Sequence, residues 1–262
     1  MTTCQPTSTF SRRALMSMAM LCAIGSAQAA PLDDMVAFDG IYIPALAMST
    51  SASQDPAAIP KAKASLAALA QQWPAHRQRL SATWGARPPS GWQQTLASVG
   101  RHIDAAVDAS RRSEWKHTHE ALEPVRIDLM QARRRQGMDY FVDRLTAFHE
   151  PMETLALAGS TLRPEQLDAK HRAELERAYA QARTLWRAVE QNTVDGAAYG
   201  LSAPRQAQLR KALDDETAAL GQLSDALRGS DNGQLLKAAV AIKPPFAKAF
   251  TAFGQPEGGP AR

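Results

Sequence analysis

Along most of the chain apolar residues recur three and four positions apart, the period of a helix with one buried face, and no stretch alternates in the way a half-buried strand does. The spacing predicts a helix over about 60–82, with Leu66, Leu69, Trp73 and Leu80 inward and a bend at Pro74, which lacks a backbone donor. The segment WGARPPSGW ends it. A second helix over about 92–110 gathers Leu96, Val99, Ile103 and Val107 on one side. A third covers about 114–136 and stops at Gly137, a residue that enters the left-handed turn of a helix end without a Cβ penalty. The fourth, about 138–158, carries Phe141, Leu145, Phe148, Met152 and Leu155 at spacings of 4, 3, 4 and 3, a coiled-coil-like seam.

Beyond RPEQ, helices are predicted over about 164–191 and 205–228, burying Leu167, Leu175, Trp186 and Val189 in one and Leu209, Leu213, Leu220 and Leu223 in the other. The tail GQLLKAAVAIKPPFAKAFTAFG reads as two short helices hinged at Pro244-Pro245. Its Phe246, Phe250 and Phe253 form one apolar face that docks on the body. The stretch PLDDMVAFDGIYIPALAMS, from Pro31, reads only as a short lead. The expected fold is all-α: an antiparallel bundle of about six main helices, one domain over 30–262 with a Phe-rich helical tail.

The N-terminus has a different pattern. Ser11-Arg12-Arg13 precedes a moderately apolar run from Ala14 to Ile24, and Ala27-Gln28-Ala29 supplies small residues at a cleavage position. These are the parts of an export signal over 1–29, and SRRALM resembles the twin-arginine type. The run is too short to span a bilayer. Periplasmic localisation follows as an expectation, with no stable membrane insertion after cleavage. Cleavage removes both cysteines, Cys4 and Cys22, and with them any disulfide, thiolate ligand or covalent c-type haem. It also lowers the formal charge of +4 by the two arginines, a balance that argues against nucleic acid as a partner.

Two copies of one pattern stand out as candidate chemistry: HEALEP, from His119 to Pro124, and HEPME, from His149 to Glu153. His and Glu four apart project from one side of a helix, and helical bundles assemble metal sites from such pairs on facing helices. Neither copy is the zinc-peptidase HExxH, because Glu stands at its fifth position. In an antiparallel hairpin turning at Gly137, residues whose numbers sum to about 275 share a height. Glu123 is then level with Met152, and His149 with Arg126. At 100° per residue both histidines lie roughly 80 to 95° off their seams in the same rotational sense. The two strips therefore face each other or both face away, as the bundle's handedness dictates.

If they face each other, His119, Glu123, His149 and Glu153 form an N/O set suited to zinc, copper or iron. A redox cofactor in place of a simple ion belongs to the same expectation. Arg126 beside them allows a second outcome, a salt-bridge and hydrogen-bond network without an ion, in a structural or docking partner of another envelope protein. Pro124 and Pro151 leave the carbonyls of Glu120 and Ala147 without their usual helical donors, and Glu120 and Glu150 are expected in solvent. His117-x-x-Glu120 resembles the HxxE element of imelysin-like exported helical proteins, with Trp115 where that family's pattern has glycine. The match covers this one short pattern, and nothing further is transferred. Arg133, Arg134 and Arg135 are assigned to the helix dipole, Met152 to core packing rather than haem ligation, and His76, His102 and His171 to surface or core-edge positions. No nucleophile with a base and an oxyanion donor can be assembled, so a non-enzymatic protein is the expectation.

Overall fold

Helical periodicity is realised in nine α-helices among the described residues, with no strand among them. The computed structural model describes Met1 and residues 26–85, 88 and 90–254, with side chains from Leu32 onward. Most of the expected export signal therefore lies outside the described residues. The helices are α1 (Ser26–Gln54), α2 (Ile59–Ala82), α3 (Trp92–Arg111), α4 (Trp115–Arg135), α5 (Phe141–Thr161), α6 (Ala169–Glu190), α7 (Ala203–Arg228), α8 (Asn232–Ala241) and α9 (Lys243–Thr251), with short 3-10 turns at Pro56–Ala58 and Pro164–Gln166. Asp168 and Asp231 start α6 and α8 by accepting hydrogen bonds from the backbone N–H groups of His171 and Gln234. Gly137 ends the turn after α4 with φ of 66°, as its position predicts.

The largest departure from expectation is α1. The supposed lead is a 29-residue helix whose Met35, Phe38, Tyr42, Ile43 and Leu46 are core residues. It has almost no polar face, so there is no amphipathic stripe to betray it, and Gly40 and Pro44 read as breakers. Leu32–Gln54 is long and apolar enough to cross a membrane by length and composition, yet more than half of its apolar window is buried inside this fold. Cleavage after Ala29 would remove only the first turn of α1.

The helices fall into two groups. In the first, α1, α2, α3 and α4 form a ring, each packed on the next and α4 closing back on α1. In the second, α5 packs on α6 and α8, and α7 on α8 and α9. The two meet where α4 approaches α5 and α1 approaches α9, and one continuous apolar core runs through both. Gly159 lets α5 and α8 approach closely, since a Cβ there would lie 2.6 Å from the Leu236 carbonyl oxygen. Phe246, Phe250 and Phe253 are buried, so the aromatic tail docks as its spacing predicts.

The helices expected third and fourth, α4 and α5, are not a tightly packed hairpin. They belong to different groups and touch only sparsely, with α1 packed alongside α4 and α9 alongside α5. What the repeated motif lines is thus the seam between the two halves of the molecule.

Candidate functional site at the seam

The two strips face each other. On α4, His119 Nε2 lies 3.1 Å from Glu123 Oε1, and the other Glu123 oxygen accepts a hydrogen bond from Arg126 Nη2. Across the seam His149 Nδ1 stands 3.9 Å from Glu123 Oε2, while its Nε2 stands 4.0 Å from Glu153 Oε2. The chain of groups ends on α9, where Lys243 Nζ donates to Glu153 Oε1 at 2.7 Å. Glu120 and Glu150 are exposed, as their positions on the wheels require.

Two other elements complete the cluster. His119 Nδ1 sits 2.8 Å from Thr50 Oγ1 of α1 and 3.3 Å from the Leu46 carbonyl. The Arg126 guanidinium lies over the Phe250 ring of α9 at 5.4 Å, and the His149 ring leans on Phe246 with centroids 5.5 Å apart. Thr50 and Lys243 escape sequence reasoning, as does the docking of Phe246 and Phe250 at this cluster, because α1 reads as a short lead and the placement of α9 over α5 is a long-range contact. Arg126, expected beside the cluster, lies there and is buried; with Leu122, Leu129 and Arg133 it continues the apolar spacing of α4.

Charge states follow from this geometry. Burial opposes ionisation of Glu123, but the hydrogen bond from His119 and the Arg126 charge outweigh it, and its pKa falls to about 2. Burial, then the Arg126 charge, drive His149 down to about 3. Near pH 7 His149 is therefore neutral, and its two contacts near 4 Å are neither ion pairs nor hydrogen bonds. Glu123 is balanced by Arg126, and Glu153 by Lys243.

The metal expectation requires the four side chains to surround one point. They form a row instead: the two nitrogens of His149 point to different carboxylates, and one ion can use only one of them. No group of three or more His, Cys, Asp or Glu among the described residues is arranged to hold an ion. His117, with Glu114 and Glu120, lies on the exposed face of α4.

A second network crosses the same seam, and it corrects the reading of the arginine run. Arg133 is buried rather than resting on the helix dipole. Its guanidinium meets both oxygens of Asp143 in a paired, fork-like contact, donates to Met35 Sδ at 3.4 Å, and lies over the Tyr140 ring at 4.5 Å. The Tyr140 hydroxyl donates to Asp39 at 2.6 Å, and burial raises Asp39 to a pKa of about 6. His76 is another correction toward the interior: it is buried against Phe38, and burial lowers its pKa to about 4. His102 and His171 are edge residues, facing Asp128 and Asp168.

No family model, curated protein or solved structure matches the chain.

Proposed function

We propose that the chain is an exported, non-enzymatic helical scaffold that docks another envelope protein, and that the His/Glu/Arg cluster is a stabilising network joining the two halves of its fold. The observation that carries this reading is the pairing of charges. Glu123 already has Arg126, Glu153 already has Lys243, and His149 stands neutral between them. A zinc, copper or iron ion held by His119, Glu123, His149 and Glu153 would have to take both carboxylates from their cations. Arg126 would then be left buried without a counter-charge, a change that costs several kcal/mol. Export is supported by Arg12-Arg13, the apolar run behind them and the small residues before Ala30. Exposed Leu157 on α5 and Val240 on α8 supply apolar surface for a docking partner.

The test is metal analysis of the protein purified from the exported fraction, repeated on His119→Ala and His149→Ala. The expected result is substoichiometric zinc, copper and iron in all three proteins, with a lower melting temperature in both variants. Stoichiometric metal in the parent that disappears in both variants would overturn the reading and restore a metal centre.

A further inference from the structure

On another part of the seam, α1 and α2 of one half and α7 and α9 of the other leave an open groove of about 790 Å³. Its floor is apolar and comes from both halves: Ile43, Pro44, Ala47 and Met48 from α1, Ala212 from α7 and Ala252 beyond α9. Its polar rim is strongly one-sided. Lys61, Arg205, Lys211 and Lys248 line it against a single acid, Asp215.

The state of these cations matters more than their number. Lys211 is taken up by Asp215 at 2.7 Å. Arg205 is half-buried and, among the described residues, donates only to the carbonyls of Ala252 and Gly254, with no carboxylate partner. Lys61 and Lys248 have no acidic partner among the described residues. An apolar trough with uncompensated positive charge along its edge is complementary to a molecule with a hydrocarbon body and an anionic end.

The geometry points to a binding site for a long-chain monocarboxylate, its hydrocarbon lying on the Ile43–Met48 face of α1 and its carboxylate reaching the Lys61, Arg205 and Lys248 rim. Size agrees: eighteen heavy atoms at about 30 Å³ each, the share of a water-sized group, need on the order of 540 Å³. That fits the volume of the groove. The chain's own ending is a poorer occupant, because residues 255–262, QPEGGPAR, contain no large apolar side chain to cover the floor. Nucleic acid fits no better, since the floor offers it no aromatic surface to stack on. The inference does not rest on the polar network described above, and either can fail without the other.

Calorimetric titration of the full chain with hexadecanoate, kept below its micelle-forming concentration, tests it, with hexadecanol, acetate and hexadecyltrimethylammonium as comparison probes. Saturable binding of hexadecanoate is expected, at least tenfold tighter than of hexadecanol, with no detectable binding of the other two. The double variant Lys61→Glu/Lys248→Glu changes two exposed side chains and should keep the parent's circular dichroism while losing at least tenfold in affinity. Absence of hexadecanoate binding, or binding equal to that of hexadecanol and unchanged in the folded double variant, overturns the proposal. Three further outcomes would do the same by naming another occupant. These are competition by the synthetic octapeptide QPEGGPAR, a parent dimer broken by the double variant, and capture by anionic phospholipid vesicles without binding of monomeric hexadecanoate.

Discussion

Glu216, on α7, offers the sharpest test of the energetics. It is fully buried, and neither carboxyl oxygen has a hydrogen-bond partner of good geometry among the described residues. Burial raises its pKa from 4.5 to about 9, and the nearby backbone N–H of Phe246 offsets little of that. The folded carboxyl thus keeps its proton where the unfolded one has lost it. A raised acid pKa contributes stability that is complete below 4.5 and is lost as pH climbs toward 9. At pH 7 the loss is about 3 kcal/mol, and between pH 5 and pH 8 the change is about 4 kcal/mol. Relaxation and water entry reduce such figures, so about 2 kcal/mol is the least the argument allows.

Glu216→Met removes the titrating group at nearly constant volume. It should stabilise the protein at pH 8 by at least about 2 kcal/mol, or roughly 4–8 °C in Tm for a domain of this size. Urea unfolding followed by far-UV circular dichroism at pH 6, 7, 8 and 9 is the assay. Parent stability should fall steadily over that range and the variant's should not. A parent curve flat from pH 6.5 to 9, or a variant less stable than the parent at pH 8, refutes the reasoning.

Other predictions concern the seam. His149 and His76 have pKa values depressed to about 3 and 4, so the stability they contribute is present above pH 6.5 and is lost as pH falls below it. Between about pH 4.5 and 6 that loss opposes the gain from Glu216 and Asp39, so Glu216→Met should steepen acid unfolding when the same urea assay is run from pH 6 down to 4.5. Arg133→Met should cost about 3–5 kcal/mol in urea unfolding by stranding buried Asp143, and Asp143→Leu added to it should recover most of the loss. Lys243→Ala, which breaks a half-exposed pair with Glu153, should cost no more than about 1 kcal/mol in the same assay. Gly159→Ala forces a methyl group against the α8 backbone and should lower stability by about 1–3 kcal/mol, measured as a drop in Tm.

Most helix positions were legible because each of these helices has one apolar and one polar side, and that asymmetry repeats with the helical period. Phe141, Leu145, Phe148, Met152 and Leu155 are buried as their spacing required, and Phe246, Phe250 and Phe253 dock as theirs did. The same criterion fails for α1, which packs against α2, α4 and α9 and whose few polar residues gather on no one side to set the period. The repeated His/Glu motif was legible as a strip on each of two helices. Its partners Thr50 and Lys243 were not, since they lie 69 and 90 positions from the residues they touch.

Local spacing along the chain is enough to establish an all-helical fold, the limits of most helices, and the presence of two ionisable strips at similar heights. These follow from backbone geometry and from which side of each helix water can reach, both of which are short-range. Whether the strips met, and whether what lay between them was an ion's pocket or a row of paired charges, depended on how two groups of helices closed on each other. That closure brought Arg126 and Lys243 to the two carboxylates, turned the two nitrogens of His149 toward different oxygens, and buried Glu216 alone. Those outcomes are set by packing between distant segments, for which a period of three or four residues has no expression.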